Sequence, residues 1–214
     1  MLKLPRFLRW TAVLLVVAMA FAAGLRWGVK PGRSAMPPDV AGFLWPLLPP
    51  MEPFLLRDTR GEGFGEARLH GKWTLLTFGY TRCGDLCAET LKFLHEARHG
   101  LAEVPTWRTR GQVAFVSVDE ARDEPAALRR YVDRFDPQFL AATGSPEQIH
   151  LLTRQVGVHV MKVSGEAPAD YWFELSPVIF LISPNLEVVG EFLPPLTTTG
   201  FIRDVTRIIE FIER

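Results

Sequence analysis

Trp73-Thr74-Leu75-Leu76-Thr77-Phe78-Gly79-Tyr80 runs without a charge into Thr81-Arg82-Cys83-Gly84-Asp85-Leu86-Cys87, and a helical pattern follows over Glu89–Leu101. A continuous apolar run of this length reads as a central strand buried on both faces. A strand that ends in a turn and hands over to a helix start places the first sulfur beside unpaired backbone N–H groups and the positive end of the helix dipole. Both stabilise a thiolate. These are the chain's two cysteines. Spacing i, i+4 on a helix puts both sulfurs on one face about one turn apart, close enough for a disulfide or for joint capture of a soft metal. Redox and copper chemistry are therefore both open, with a pair of buried structural cysteines as the bland alternative.

Outward from this stretch, strand and helix signals alternate. Phe54–Arg57 with the turn Asp58-Thr59-Arg60-Gly61 reads as a short strand, Val113–Val118 as a second central strand, and Phe139–Ala142 as a third. Pro125 opens a helix running to about Phe135, and Ser145-Pro146-Glu147 opens another by cap and first-turn proline. Val156–Val163 reads as a strand, Val178–Ile182 and Glu187–Phe192 as a hairpin joined at Ser183-Pro184-Asn185, and Thr198–Arg214 as a closing helix with Ile202, Val205, Ile208, Ile209 and Ile212 on one face. The pattern predicts a mixed sheet sandwiched by helices, with the cysteines at the carboxyl end of a central strand, where open α/β sheets place their chemistry.

The whole chain is 214 residues, 48% hydrophobic and 22% charged, which suits one folded domain with appendages. Lys plus Arg and Asp plus Glu both total 24, so no basic field gathers nucleic acid, and none is expected as a partner. Lys3, Arg6 and Arg9 precede the uncharged stretch Trp10–Leu25, flanked by Trp10 and Trp27. Spanning a bilayer takes about 17–25 apolar residues and a signal-peptide core about 7–15, so the segment lies between the two. With snorkelling arginines and interfacial tryptophans the expected reading is an uncleaved anchor over residues 1–27. The basic end then stays in the cytoplasm and the rest of the chain is exported, to a bacterial periplasm or an equivalent oxidising compartment. Residues 28–52 form a Pro-rich linker, and the domain is expected over 53–214.

Gly71-Lys72-Trp73, Phe78-Gly79-Tyr80-Thr81-Arg82-Cys83-Gly84-Asp85-Leu86-Cys87, Ser117-Val118-Asp119-Glu120-Ala121-Arg122-Asp123 and Tyr131 through Phe135 resemble the Sco/SenC family of membrane-anchored thioredoxin-fold proteins. The resemblance implies a thioredoxin-like three-layer αβα sandwich. It also implies a role in maturing the copper centre of cytochrome c oxidase, by delivering copper or by reducing that centre's cysteines. Members of the family bind copper through the two cysteines and a distant histidine, in a stretch that here reads Asp170-Tyr171-Trp172-Phe173-Glu174-Leu175-Ser176-Pro177. Leu175 stands where the histidine is expected, and an aliphatic side chain has no lone pair to give. Gly84 and Ala88 replace the family's prolines inside and after the cysteine motif.

Pro177 falls where thioredoxin-fold reductases carry a cis-proline facing the disulfide. It is expected to be cis, leaving the preceding carbonyl free for a substrate backbone; a trans proline that starts a strand is the alternative. His159 and Met161 alternate onto one face of the expected Val156–Val163 strand and are the candidate replacement copper ligands. His70, His95, His99 and His150 show no partner at metal spacing and read as solvated or hydrogen-bonded side chains. Arg82 beside Cys83 favours the thiolate and Asp85 opposes it, while Asp119, Arg122 and Asp123 are candidates for a loop network near the site.

The leading expectation is a membrane-tethered, periplasm-facing thiol-disulfide oxidoreductase at the cytoplasmic membrane. Cys83 attacks a substrate disulfide and Cys87 resolves the mixed disulfide. The partner is a cytochrome c oxidase subunit or another periplasmic thiol protein, with no cofactor required. The alternatives are a copper(I) metallochaperone using Cys83 and Cys87 with a non-standard third ligand, and a non-catalytic oxidase assembly factor. A peroxidase is disfavoured, because peroxiredoxin-type sites carry a threonine three positions before the cysteine and Thr81 is two before Cys83.

Overall fold

Every residue of β3 (Trp73–Gly79) is buried, as its unbroken apolar character requires. The computed structural model describes residues 49–214 apart from Pro168, so the apolar segment 1–27 and nearly all of the Pro-rich linker lie outside the described residues. Among the described residues no helix is long and apolar enough to cross a membrane. On one side β3 pairs in parallel with β4 (Gly111–Ser117), from Trp73 opposite Gly111 to Gly79 opposite Ser117. On the other it pairs antiparallel with β8 (Ile179–Ile182). With β1 (Leu55–Asp58), β2 (Gly63–Gly65), β5 (Leu140–Thr143) and β9 (Val188–Phe192) these strands make a seven-stranded mixed sheet of order β2-β1-β5-β4-β3-β8-β9.

Alternate residues of β3 feed two separate cores, as the two-residue period of a strand dictates. Trp73 and Leu75 pack with α2 (Asp85–Leu101), α3 (Pro105–Arg110), α4 (Pro125–Val132) and α6 (Thr198–Ile212), while Leu76, Phe78 and Tyr80 pack with Leu69 of α1 (Glu66–Leu69) and with α5 (Pro146–Val156). Helices thus cover both faces of the mixed sheet, the α/β layering expected.

The structure departs from the sequence pattern in instructive places. Residues Val156–Val163 do not form one strand: α5 runs through Val156 and stops at Gly157, whose φ of +79° is a left-handed cap that glycine supplies without steric cost. The strand β6 begins only at Val160 and spans Val160–Ser164. It pairs with β7 (Tyr171–Leu175) in a separate two-stranded sheet, and β7 was not anticipated although its half-buried and exposed residues alternate strictly. Helix α2 starts at Asp85 rather than Glu89, which sets an acidic residue in its first turn, where the dipole favours it. The short β2, α1 and α3 carry too few residues to show a period.

The chain's approach to the sheet is laced down. Met51 is buried and its N–H donates to the Leu186 carbonyl at 2.9 Å, in the turn between β8 and β9. Glu52 N–H donates to Gln155 Oε1 at 2.6 Å, and Gln155 Nε2 donates back to the Glu52 carbonyl at 3.3 Å.

Candidate functional site: the cysteine turn

Cys83 and Cys87 are joined in a disulfide across a Cα separation of 5.8 Å. Cys83 lies in the turn before α2 and is half-buried, while Cys87 sits in the helix's first turn with 4% of its surface exposed. The sulfur of Cys83 is thus the one an incoming group can reach. Between the turn and α2, Gly84 holds φ +75° and ψ −146°, a region essentially restricted to glycine. A proline, with φ fixed near −65°, cannot occupy this position as the turn stands.

Two features fix the turn from beneath. A Cβ added at Gly79 would stand 2.7 Å from Cys87 Sγ and 2.7 Å from a Phe115 ring carbon, so only a hydrogen fits between the strand end and the disulfide. The second is Asp123, fully buried and clamped by three donors. Its Oδ2 accepts from Thr81 N–H at 2.8 Å and from the Ser117 hydroxyl at 2.5 Å, and its Oδ1 accepts from the Thr81 hydroxyl at 2.5 Å. The loop after β4 therefore holds the backbone two residues before Cys83.

The expected network of Asp119, Arg122 and Asp123 forms, and it reaches further than the sequence indicated. Buried Asp119 accepts from Arg122 Nε and, at 2.8 Å, from the Tyr171 hydroxyl. The Arg122 guanidinium lies 3.6 Å from the centroid of the Tyr171 ring and donates to the Tyr171 carbonyl at 3.0 Å. Burial, followed by the Asp119 carboxylate accepting from its hydroxyl, raises the Tyr171 phenol above its ordinary value. Tyr80 makes a second tie: its hydroxyl accepts from Phe173 N–H at 3.2 Å and donates to the Phe173 carbonyl at 3.3 Å. Thr81, Ser117, Tyr80, Tyr171 and Phe173 were not singled out as supports. The available signal was Thr81, a hydroxyl set two residues before the cysteine at the end of an apolar strand.

Leu175 ends β7 opposite Val160, and like Cys83 and Phe173 it packs against the core cluster under this end of the sheet. Position 175, where the resemblance implies a histidine, is thus filled by an apolar contact. Met161 pairs with Glu174, so it projects from the opposite face of the hairpin to Leu175, and it is 57% exposed. His159 is also exposed. The pair expected as replacement ligands therefore turns away from the cysteines.

The expectation of a cis-proline at 177 is corrected. Among the described residues the cis peptide bond joins Pro194 to Pro195, and Ser176–Pro177 is trans. Nor is the Ser176 carbonyl free, because it accepts from Val178 N–H at 2.8 Å in a tight three-residue turn around the proline. The Val178 carbonyl is in turn held by the Thr77 hydroxyl of β3 at 2.9 Å. Pro177 still reaches the cysteine end of the sheet: with Leu86, Phe93, Pro194 and Leu196 it lines a groove of about 170 Å³ at the start of α2.

One further expectation holds only in part: His95 is hydrogen-bonded, to Asp136 at 3.1 Å, and His99 is exposed, but the two lie four residues apart on α2 and meet Asp136, so they are not partnerless at metal spacing. Burial would push the Asp136 carboxyl up, but the Gln138 N–H, Arg98 and His95 together hold it below the ordinary carboxylate range.

A mixed sheet between helices, with a disulfide closed across the turn from a central strand to a helix, defines a thioredoxin-like protein. Within that class the chain belongs to the SCO1/SenC family, whose model matches residues 49–210. It is 35% identical over 167 residues to the mitochondrial SCO1 homolog 1 of Arabidopsis thaliana, covering 75% of this chain and 44% of that protein. It is 38% identical over 138 residues to the mitochondrial SCO2 homolog of Bos taurus, covering 62% of this chain and 49% of that one. The match thus spans about half the length of these curated relatives. Among solved structures, copper-bound ScoI of Arabidopsis thaliana superposes with a TM-score of 0.68 at 32% identity, covering 76% of this chain and 99% of that one. Copper-bound ScoI of Bradyrhizobium japonicum gives 0.66 at 29% identity, covering 75% and 99%.

Proposed function

We propose that the protein is a thiol-disulfide oxidoreductase of the Sco type that assists maturation of the cytochrome c oxidase copper centre by reducing that centre's cysteines. It acts in the periplasm or an equivalent compartment, tethered by its N-terminal segment. The observation that carries this reading is Leu175, an aliphatic side chain packed where the family pattern calls for the third copper ligand, beside two cysteines closed in a disulfide.

In the reduced protein, the Cys83 thiolate attacks one sulfur of a substrate disulfide, forming a Cys83–substrate bond and releasing the other substrate sulfur as thiolate. Cys87 then attacks Cys83 Sγ, closes the intramolecular disulfide and releases the second substrate thiolate. Two electrons pass from the protein to the substrate, and an external dithiol must return them. The half-exposed Cys83 and the buried Cys87 suit attacking and resolving roles respectively. The test is reduction of an oxidised copper-centre domain of an oxidase subunit by the reduced protein. Wild type is expected to turn over, Cys83→Ser to be inert, and Cys87→Ser to accumulate a mixed disulfide; absence of wild-type turnover defeats the reading.

A second reading, copper(I) delivery, is favoured by the copper-bound structures of relatives at 29% and 32% identity. Two thiolates suit copper(I) once the disulfide is reduced, but the chain offers no third donor at position 175. Under this reading copper is cargo, and Leu175→His is expected to tighten copper(I) binding by the reduced protein on the order of tenfold, a gain of about 1.4 kcal/mol. A competition titration reads it; tight wild-type binding that Leu175→His leaves unchanged would favour delivery by the two thiolates alone.

A further inference from the structure

One nitrogen of each ring of His95 and His99 and one carboxylate oxygen of Asp136 lie within 4.8 Å of one another, on the flank of α2. Residues four apart on a helix stand over one another on one face, and here the two ring centroids are 4.5 Å apart. The carboxylate is already committed. Its Oδ1 accepts from Gln138 N–H at 2.9 Å, while its Oδ2 accepts from Arg98 Nε at 2.7 Å and faces His95 Nδ1 at 3.1 Å.

That arrangement gives Asp136 an orienting role rather than a ligating one. A carboxylate held ionised by Arg98 and a backbone N–H can only accept, so it accepts the hydrogen bond of His95 Nδ1–H, which leaves Nε2 as the lone-pair nitrogen of the neutral ring. A carboxylate behind a histidine in this way fixes the ring and raises its basicity as a metal ligand. Asp136 is 2% exposed whereas the His95 and His99 side chains reach solvent, so the carboxylate is the buried partner and the imidazoles stand at the surface. His95 also borders a surface groove of about 620 Å³, lined in addition by Ala88, Lys92 and Arg134. The groove leaves room for water to complete a coordination shell.

We propose that His95 and His99, with His95 oriented by Asp136, form a site for a divalent transition-metal ion that is separate from the cysteine pair. Two imidazoles suit copper(II), nickel(II) and zinc(II), and the Irving–Williams order places copper(II) first. Cys87 lies eight residues earlier on the same helix, about 12 Å along its axis at 1.5 Å per residue, so the two sites do not share an ion.

The test uses the full chain with its disulfide closed, which keeps the thiolates out of the titration. Copper(II), zinc(II) and manganese(II) salts are added separately and followed by calorimetry, with electron paramagnetic resonance for copper. The expected result is one equivalent of copper(II) bound more tightly than zinc(II), negligible manganese binding, and hyperfine structure from two imidazole nitrogens. His99→Gln, at an exposed position that leaves the core untouched, is expected to remove the two-nitrogen signal and weaken copper(II) binding beyond tenfold. Asp136→Asn is expected to weaken it roughly 10- to 100-fold, as for other carboxylates behind a metal-bound histidine. Copper(II) affinity unchanged in His99→Gln, or a spectrum without two nitrogens, overturns the site.

Discussion

The disulfide stands between two regions built on different terms. On one side is the β3–α2 junction, where a glycine gap, a fully buried carboxylate and a close-packed aromatic ring fix the backbone of the cysteine turn. On the other is the β6–β7 hairpin, a two-stranded sheet of its own, joined to this end of the domain by the Tyr80 hydroxyl and by the Arg122–Tyr171–Asp119 cluster. The chain keeps the family's cysteines on the tightly built side, and its departure from the ligand pattern falls on the other. The hairpin's outer face is exposed and its inner face rests on the core through Val160, Phe173 and Leu175, whereas the junction is confined on all sides around Gly79 and Asp123.

The contrast makes graded predictions. Asp123→Ala removes the acceptor for one backbone N–H and two hydroxyls at a buried position, and should cost on the order of 3 kcal/mol or more in denaturant unfolding. Should it cost no more than the hairpin substitution below, the junction is not the firmer region. Gly79→Ala drives a methyl into Cys87 Sγ and Phe115, and should cost about 1–3 kcal/mol and slow reformation of the disulfide after reduction. An unfolding midpoint and reoxidation rate both equal to wild type would show that the strand end can yield. Tyr80→Phe deletes the two-way hydrogen bond to Phe173, and should cost about 1 kcal/mol. Its signature is regional: faster amide exchange in β6 and β7 with the β3 amides unchanged. Acceleration spread equally over β3 would mean that the hairpin and the junction open together.

The two regions also differ in how far sequence alone reveals them. β3 and the cysteine turn are legible because an uncharged apolar run followed by a helical pattern has few other readings, and the family resemblance rests largely on the same residues. β7, Tyr171-Trp172-Phe173-Glu174-Leu175, alternates in burial but not in polarity, because the outward Trp172 is apolar, and it pairs with β6 alone outside the main sheet, so its five residues show no two-residue period in sequence. Around Pro177 the Ser176 carbonyl is taken up by Val178 N–H, a three-residue hydrogen bond that has no composition signal. The four-residue spacing of His95 and His99 is visible in sequence, but the carboxylate that faces them lies beyond α4, 41 residues from His95. Short-range patterns show elements; the groups that position chemistry here come from distant loops.

The lacing of Met51 and Glu52 has a geometric consequence. Met51 is tied to the turn that follows β8, and β8 runs antiparallel to β3 with Ile182 opposite Thr74, so the chain joins the domain at the amino end of β3. The cysteines lie at the other end of that strand, roughly 20 Å away for seven residues at about 3.3 Å each. The domain therefore has two poles, one where the polypeptide arrives and one where sulfur is offered.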